Sequence, residues 1–236
     1  MAPRPAAGWV GPAAVVETHI SVLTFVGDRV YKLKKPVHFD FLDFRRREQR
    51  REACHREVQV NRRLSPDVYL GVLDVVDGEG RLRDHLVEMV RLPPARRLAT
   101  LVTEDDPCLP GGLDALARTV ADFHADARRG PTLQVDAGHD AATTALEREL
   151  AELRTVAEGE DAVLDPVQLE AVAEAAQRWL AGRAPLFVER AAGGHVVDGH
   201  GDLQAEDVFC LDDGPRVLDS IEFSDRLRHV DVVDDV

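Results

Sequence analysis

Apolar and polar positions along this chain change spacing twice, and each change predicts a change of element type. Between residues 15 and 34 the pattern is that of strands. Val15, Val16 and Glu17 lead into Thr18-His19-Ile20-Ser21, and an apolar run follows at 22–26. Gly27-Asp28 then supplies turn chemistry, and residues 30–34 alternate. On that last strand Val30, Lys32 and Lys34 share one face while Tyr31 and Leu33 take the other.

From residue 43 to 64 the spacing becomes helical. Ala53, Glu57, Val60 and Leu64 form an inward stripe, and Ser65-Pro66 ends it. Glu57 therefore falls on an apolar face, where an unpaired carboxylate is costly. Spacing alone admits two outcomes: a buried Glu57 matched by a cation, or a Glu57 at the stripe margin that reaches water. Strands follow at 68–76 and 86–92, around a turn at 77–80. Pro93-Pro94 breaks the pattern and the composition turns helix-rich, which divides the chain into domains of 1–93 and 94–236. Leu113, Leu116, Ala117, Val120 and Ala121 mark one helix, continuing through Phe123-His124, and Leu146, Leu150 and Leu153 mark a second. Asp165-Pro166 caps a third. The final stretch returns to strand and turn, with apolar runs at 196–197, 208–211 and 217–218.

Composition narrows the class. A chain of 236 residues with 44% hydrophobic and 31% charged residues has the make-up of a folded protein. No apolar run approaches the ~20 residues of a membrane helix, and the start lacks a signal-peptide layout. A net charge of -14 argues against general nucleic-acid binding, which needs clustered positive charge. Cys54, Cys108 and Cys210 are odd in number and widely spaced, so neither a disulfide framework nor a zinc site is indicated, and reduced thiols fit a cytoplasmic location.

The charge total hides two details. Of 29 basic residues only three are lysine, namely Lys32, Lys34 and Lys35, and the rest are arginine. Lysine kept at one place in an arginine-biased chain reads either as a site that requires a compact ammonium or as chance clustering on a solvated strand edge. Charge is also segregated: residues 29–63 balance to +7 and residues 200–236 to -8. In that acidic end Asp202, Asp207 and Asp219 lie at loop or strand ends, and two strands joined by a turn would bring Asp207 and Asp219 together. Clustered carboxylates without His or Cys partners suit magnesium, which usually brings substrate phosphates with it. Spacing alone reads equally well as a solvated acidic loop.

His200-Gly201-Asp202-Leu203-Gln204-Ala205-Glu206-Asp207, followed by Val217-Leu218-Asp219-Ser220-Ile221-Glu222-Phe223, resembles the catalytic and metal-binding segments of aminoglycoside phosphotransferases and choline-kinase-like enzymes. Together with Val30-Tyr31-Lys32-Leu33-Lys34-Lys35-Pro36 and the helix glutamate, it points to an uncharacterised bacterial branch of that family. The resemblance runs from about residue 15 to the end. It implies an α+β, protein-kinase-like two-lobe fold with a small β-rich N-lobe and a mostly helical C-lobe, cut short at the C-terminus. It also implies ATP or GTP as co-substrate, Mg2+ as cofactor and a small-molecule hydroxyl as acceptor. The roles it implies are Lys32, or Lys34, for the α- and β-phosphates, Glu57 as the ion-pair partner, and Asp202 as catalytic base. Asp207 and Asp219 would hold the metal, Ser21 would lie near the phosphates by position, and His200 would brace the loop.

Two departures stand against the family pattern. Asp207 replaces the usual metal-binding asparagine, and the chain stops where further helices should follow. The missing helices make a nucleotide-binding pseudokinase or inactive fragment the alternative to an active kinase. A metal-dependent hydrolase built on His195, His200 and Asp202 has weaker spacing. Some members of the branch are fused to a phosphate-binding-loop kinase domain, and no Gly-x-x-x-x-Gly-Lys run occurs in this chain. The acidic end favours a cationic acceptor such as an amino sugar.

Overall fold

A computed structural model describes residues 14–39, 41–157 and 164–236. In chain order the elements are β1 (Ala14–Glu17), β2 (Ser21–Val26), β3 (Arg29–Lys34), β4 (His38–Phe39), β5 (Leu42–Asp43), α1 (Arg47–Asn61), β6 (Tyr69–Val76) and β7 (Leu82–Val90). Next come α2 (Leu98–Thr103), α3 (Leu109–Asp126), α4 (Pro131–Asp136), α5 (His139–Ala157), α6 (Pro166–Ala181) and α7 (Ala184–Ala192). The chain closes with β8 (Val196–Asp198), β9 (Val208–Leu211), β10 (Gly214–Val217) and β11 (His229–Asp231). The class is α+β, an antiparallel sheet followed by a mainly helical part.

The predicted strands pair as an antiparallel sheet in the order β1-β2-β3-β7-β6. Alternation along β3 sets its two faces: Val30, Lys32 and Lys34 are buried while Arg29, Tyr31 and Leu33 are half-buried. Helix α1 lies across β6 and β7. Val30, Cys54, Val58, Tyr69, Val87 and Met89 form the core between them. Burial of each large apolar side chain contributes about 1.5–3 kcal/mol. The expected stripe is present, with Ala53, Glu57, Val60 and Leu64 all buried. The helix starts later than its spacing predicts, because Leu42–Asp43 pairs as a short strand with His38–Phe39. Gln49 Oε1 accepts the Arg46 N–H at 3.0 Å, which fixes that start.

The chain divides into two compact units. One comprises residues up to 126 together with 200–225, and the other comprises 127–199 with 226–236. The sheet gives way to helices after Val90, close to the expected change at residue 93. Yet α2, α3, β9 and β10 belong to the first unit, around a core of Leu64, Leu98, Leu101, Val208, Cys210 and Val217. Gly112 permits this packing, since a Cβ there would sit 2.9 Å from Cys210 Sγ. In the second unit, α6 starts as predicted, the Val167 N–H donating to Asp165 Oδ1 at 2.9 Å. There β8 pairs with β11, and Asp198 Oδ1 accepts from the buried Arg228 at 3.0 Å. Helices α2, α4 and α7 are six to nine residues long, too short to leave a clear period in the sequence.

Candidate functional site

Among the candidate residues, Glu57 and Asp219 meet the two lysines of β3. Strand alternation points Lys32 and Lys34 the same way, and one turn of α1 brings Glu57 between them. Glu57 Oε1 lies 2.9 Å from Lys32 Nζ, and Glu57 Oε2 lies 2.7 Å from Lys34 Nζ. Glu57 is 0% exposed, and its oxygens meet both ammonium groups outside hydrogen-bond geometry, so these contacts are ionic. Each lysine has a second carboxylate in line: Lys32 Nζ donates to Asp219 Oδ1 at 2.5 Å, and Lys34 Nζ to Glu222 Oε1 at 2.5 Å. The result is an alternating chain, Asp219–Lys32–Glu57–Lys34–Glu222.

Its charges support one another. Burial by itself would lower the Lys32 pKa, but Asp219 and Glu57 outweigh it and hold the value well above the ordinary one. Lys34 is raised in the same way, burial being overcome by Glu57 and Glu222. For Glu57, burial is overcome by the two lysines, and its carboxyl sits below the usual range. Glu222 goes the other way, because burial exceeds the pull of Lys34 and the Glu57 charge adds to it.

The segment carrying Asp219 is held from several sides. Asp219 has a φ of 65°, a left-handed conformation that aspartate tolerates better than most side chains. Its N–H donates to the Tyr69 hydroxyl at 3.1 Å. The next residue, Ser220, donates its N–H to Asn61 Oδ1 at 2.8 Å, and Ser65 Oγ donates to the Val217 carbonyl at 2.8 Å. Helix α1 therefore carries Glu57 and, one turn later, fixes the backbone beside Asp219. The β9–β10 hairpin does what the sequence implied for Asp207: Val208 pairs with Val217, and the Leu218 N–H donates to the Asp207 carbonyl at 2.9 Å.

Lys32, Asp207 and Asp219 line a cavity of about 350 Å3, whose wall is otherwise largely apolar, with Leu23, Phe25 and Phe209 among its residues. Lys34, Glu57 and Ser21 are buried and are not on that wall. Ser21 Oγ is enclosed without a hydrogen-bond partner, so the structure does not bring this hydroxyl to the cavity. Asp202 is exposed in the preceding loop, its Oδ1 accepting from Gln204 Nε2 at 2.8 Å. His200 is buried; its Nε2–H donates to the Leu218 carbonyl at 2.9 Å and its Nδ1 accepts the Asp202 N–H at 3.4 Å, a bracing arrangement.

Asp207 is the strained member. Burial first, then the Asp219 charge, push its carboxyl up to about 7. A carboxyl raised on folding favours the folded state below its unfolded value near 4 and loses that contribution as pH rises to about 7. Asp207→Asn should therefore leave stability almost unchanged at pH 4 and raise it by about 1–2 kcal/mol at pH 8, a figure discounted for partial solvent access. Urea unfolding at the two pH values measures this, and equal effects at both would remove the electrostatic explanation.

A cation on the cavity side of Asp207 and Asp219 would relieve that repulsion, and oxygen ligands suit magnesium. Among the described residues no three His, Cys, Asp or Glu side chains form a ready metal centre, so the protein offers these two carboxylates and the remaining positions would fall to water or substrate. Sequence reasoning missed Glu222, Asn61 and Tyr69. Asn61 had a signal of the same kind as the lysines, being the only asparagine in the chain.

No family model matches the chain. It is 40% identical over 221 residues to uncharacterized proteins of Mycobacterium bovis and of two strains of Mycobacterium tuberculosis, a match covering 94% of this chain and 44% of theirs. The chain thus spans less than half the length of the curated relatives it matches. Among solved structures it is similar to a choline/ethanolamine kinase family protein from Mesorhizobium loti, with TM-score 0.45, 16% identity, and coverage of 92% of this chain and 60% of that one. It is also similar to the GDP and kanamycin complex of APH(2")-IIia, with TM-score 0.46, 17% identity, and 98% and 72% coverage. A third is the GDP complex of wild-type aminoglycoside 2'-phosphotransferase-IIIa, with TM-score 0.40, 15% identity, and 98% and 69% coverage.

Proposed function

We propose that this chain binds a nucleoside triphosphate, ATP or GTP, with magnesium, and transfers the γ-phosphoryl group to a hydroxyl of a small molecule such as a sugar or amino sugar. The observation that carries this reading is an ammonium, Lys32, held by Glu57 and Asp219 on the wall of a cavity that Asp207 also lines. Lys32 takes the α- and β-phosphates and Glu57 orients it. Lys34, fully enclosed, is the less suited of the two lysines to meet a ligand. Asp207 and Asp219 hold magnesium, which when bound offsets the negative charge of the phosphate oxygens. Asp202, exposed beside them, accepts the proton of the acceptor hydroxyl.

Thermal unfolding with magnesium and ATP or GTP tests the binding step. Nucleotide at a hundred times its Kd should stabilise the chain by about 2.7 kcal/mol, and Lys32→Arg should abolish the shift, since a planar guanidinium does not reproduce the ammonium contacts. A wild-type chain with no shift would rule the reading out. A phosphate-transfer screen over sugars, amino sugars and amino alcohols tests turnover. A second reading is nucleotide binding without turnover. Binding with no transfer to any acceptor selects it.

A further inference from the structure

Lys34 and Glu222 are not needed to touch a ligand, yet they form a deeply enclosed ion pair that also shares Lys34 with Glu57. Lys34 and Glu57 side chains are each 0% exposed and Glu222 is 6% exposed. Burying two charges is unfavourable unless geometry compensates, and an apolar pair of the same volume is often no less stable. Stability alone is therefore a poor reason for Lys34. Its position supplies another. Glu57 has two carboxylate oxygens, one facing Lys32 at 2.9 Å and the other facing Lys34 at 2.7 Å. Without Lys34 the second oxygen would face no cation, and the carboxylate could rotate away from Lys32.

Glu222 completes the arrangement from the other end. It lies three residues beyond Asp219, and between them Ser220 is fixed by Asn61. The left-handed backbone at Asp219 is a conformation that persists where surrounding contacts over-determine it. The Tyr69 hydroxyl and Asn61 hold it at and just after Asp219, and Lys34 holds it downstream through Glu222. Lys34 also sits 5.2 Å from the Phe44 ring centre, which walls its ammonium into one place.

We propose that Lys34 and Glu222 form a positioning pair, which fixes the Glu57 carboxylate toward Lys32 and fixes the segment bearing Asp219. Lys32, oriented by Glu57, and Asp219 are the groups that the phosphotransfer reading places against nucleotide and metal, and the proposal rests on that reading for its functional meaning. The pair acts through Lys32 and Asp219 and is not itself catalytic.

The chain's three lysines make the test direct. In protein labelled with 13C at lysine Cε, each resonance is assigned by its loss in Lys32→Met, Lys34→Met or Lys35→Arg. Glu222→Gln preserves the side-chain shape and removes the charge that Lys34 faces. The expected spectrum has both the Lys34 and the Lys32 resonances moved and Lys35, which pairs with Glu17, in place. Magnesium-ATP affinity should fall about tenfold, the scale for removing an outer partner of a ligand-holding group. Movement of Lys34 without Lys32 would overturn the proposal, because the pair would then be a local structural contact. If Glu222→Gln does not fold, the double variant Lys34→Met/Glu222→Met removes both charges together and must still move Lys32. If wild-type Lys32 ignores magnesium-ATP, the nucleotide reading fails, and the Lys32 response to Glu222→Gln still decides the pair.

Discussion

Glu57→Ala should cost about 3–5 kcal/mol of stability, the range for removing one partner of a buried ion pair, with Lys32 and Lys34 each left on a single carboxylate, Asp219 or Glu222. Here two ammonium groups, Lys32 and Lys34, lose their shared carboxylate inside the core. Against a typical total of 5–15 kcal/mol, the variant should be marginally folded at best. Glu57→Gln preserves the shape but supplies no charge, so it should behave similarly. Removing the enclosed members of the group together separates charge from packing: a quadruple variant with Met at 32, 34, 57 and 222, which leaves only the half-exposed Asp219 to solvent, should recover much of the lost stability while binding no nucleotide. The pH dependence has a definite sign. Lowered below its ordinary value, the Glu57 carboxyl contributes stability that is present above the unfolded carboxylate pKa near 4.3 and is lost as pH falls toward its folded value. Urea unfolding of the wild type and Glu57→Gln at pH 7 and pH 3 measures both effects. A Glu57→Gln protein within about 1 kcal/mol of wild type at pH 7 would mean that solvent or side-chain rearrangement screens the lysines, against the burial seen here.

The sequence made this site partly legible because its chemistry coincides with its periodicity. Alternation on β3 aligned Lys32 with Lys34, and the helical stripe of α1 put a glutamate where apolar groups belonged; a buried ion pair was one of the two outcomes that spacing admitted. What alternation could not say is which lysine Glu57 would choose, and the answer is both, since a carboxylate has two oxygens and strand geometry presents two ammonium groups on one face. Asp207 and Asp219 were partly legible, because two strands joined by a turn would bring them together, and the structure has that turn at Asp212–Asp213 between β9 and β10. Glu222 was not, since nothing in local spacing says that a residue after a strand end will fold back under β3. The pairing of His38–Phe39 with Leu42–Asp43 joins strands of two residues, too short to show a period, and the compact units recombine residues 200–225 with a distant part of the chain. Both are decided by tertiary pairing, which no local period records.

Asp202→Ala should lower phosphate transfer by about 10²–10⁴-fold, the usual contribution of a positioned general base, while leaving the magnesium-nucleotide thermal shift in place. The separation follows from the geometry. Asp202 is exposed in the loop after β8, whereas the groups on the cavity wall that would meet nucleotide and metal are Lys32, Asp207 and Asp219. The Asp202 backbone is tied to His200, itself bonded to the Leu218 carbonyl, so removing the carboxylate should not collapse the loop. Gln204 loses its partner at Asp202 Oδ1, a solvent-side contact. Asp202→Asn separates the two functions a carboxylate has here: the amide still accepts a hydrogen bond from the acceptor hydroxyl but is a far poorer base. A phosphoryl transition state with little bond formation to the incoming oxygen needs the proton removed late, so orientation alone would retain part of the rate and Asp202→Asn should exceed Asp202→Ala. Transfer rates measured at saturating nucleotide, with the thermal shift run in parallel, decide the matter: an Asp202→Ala chain that transfers at the wild-type rate removes Asp202 from the chemistry, and one that loses the thermal shift moves it to the nucleotide.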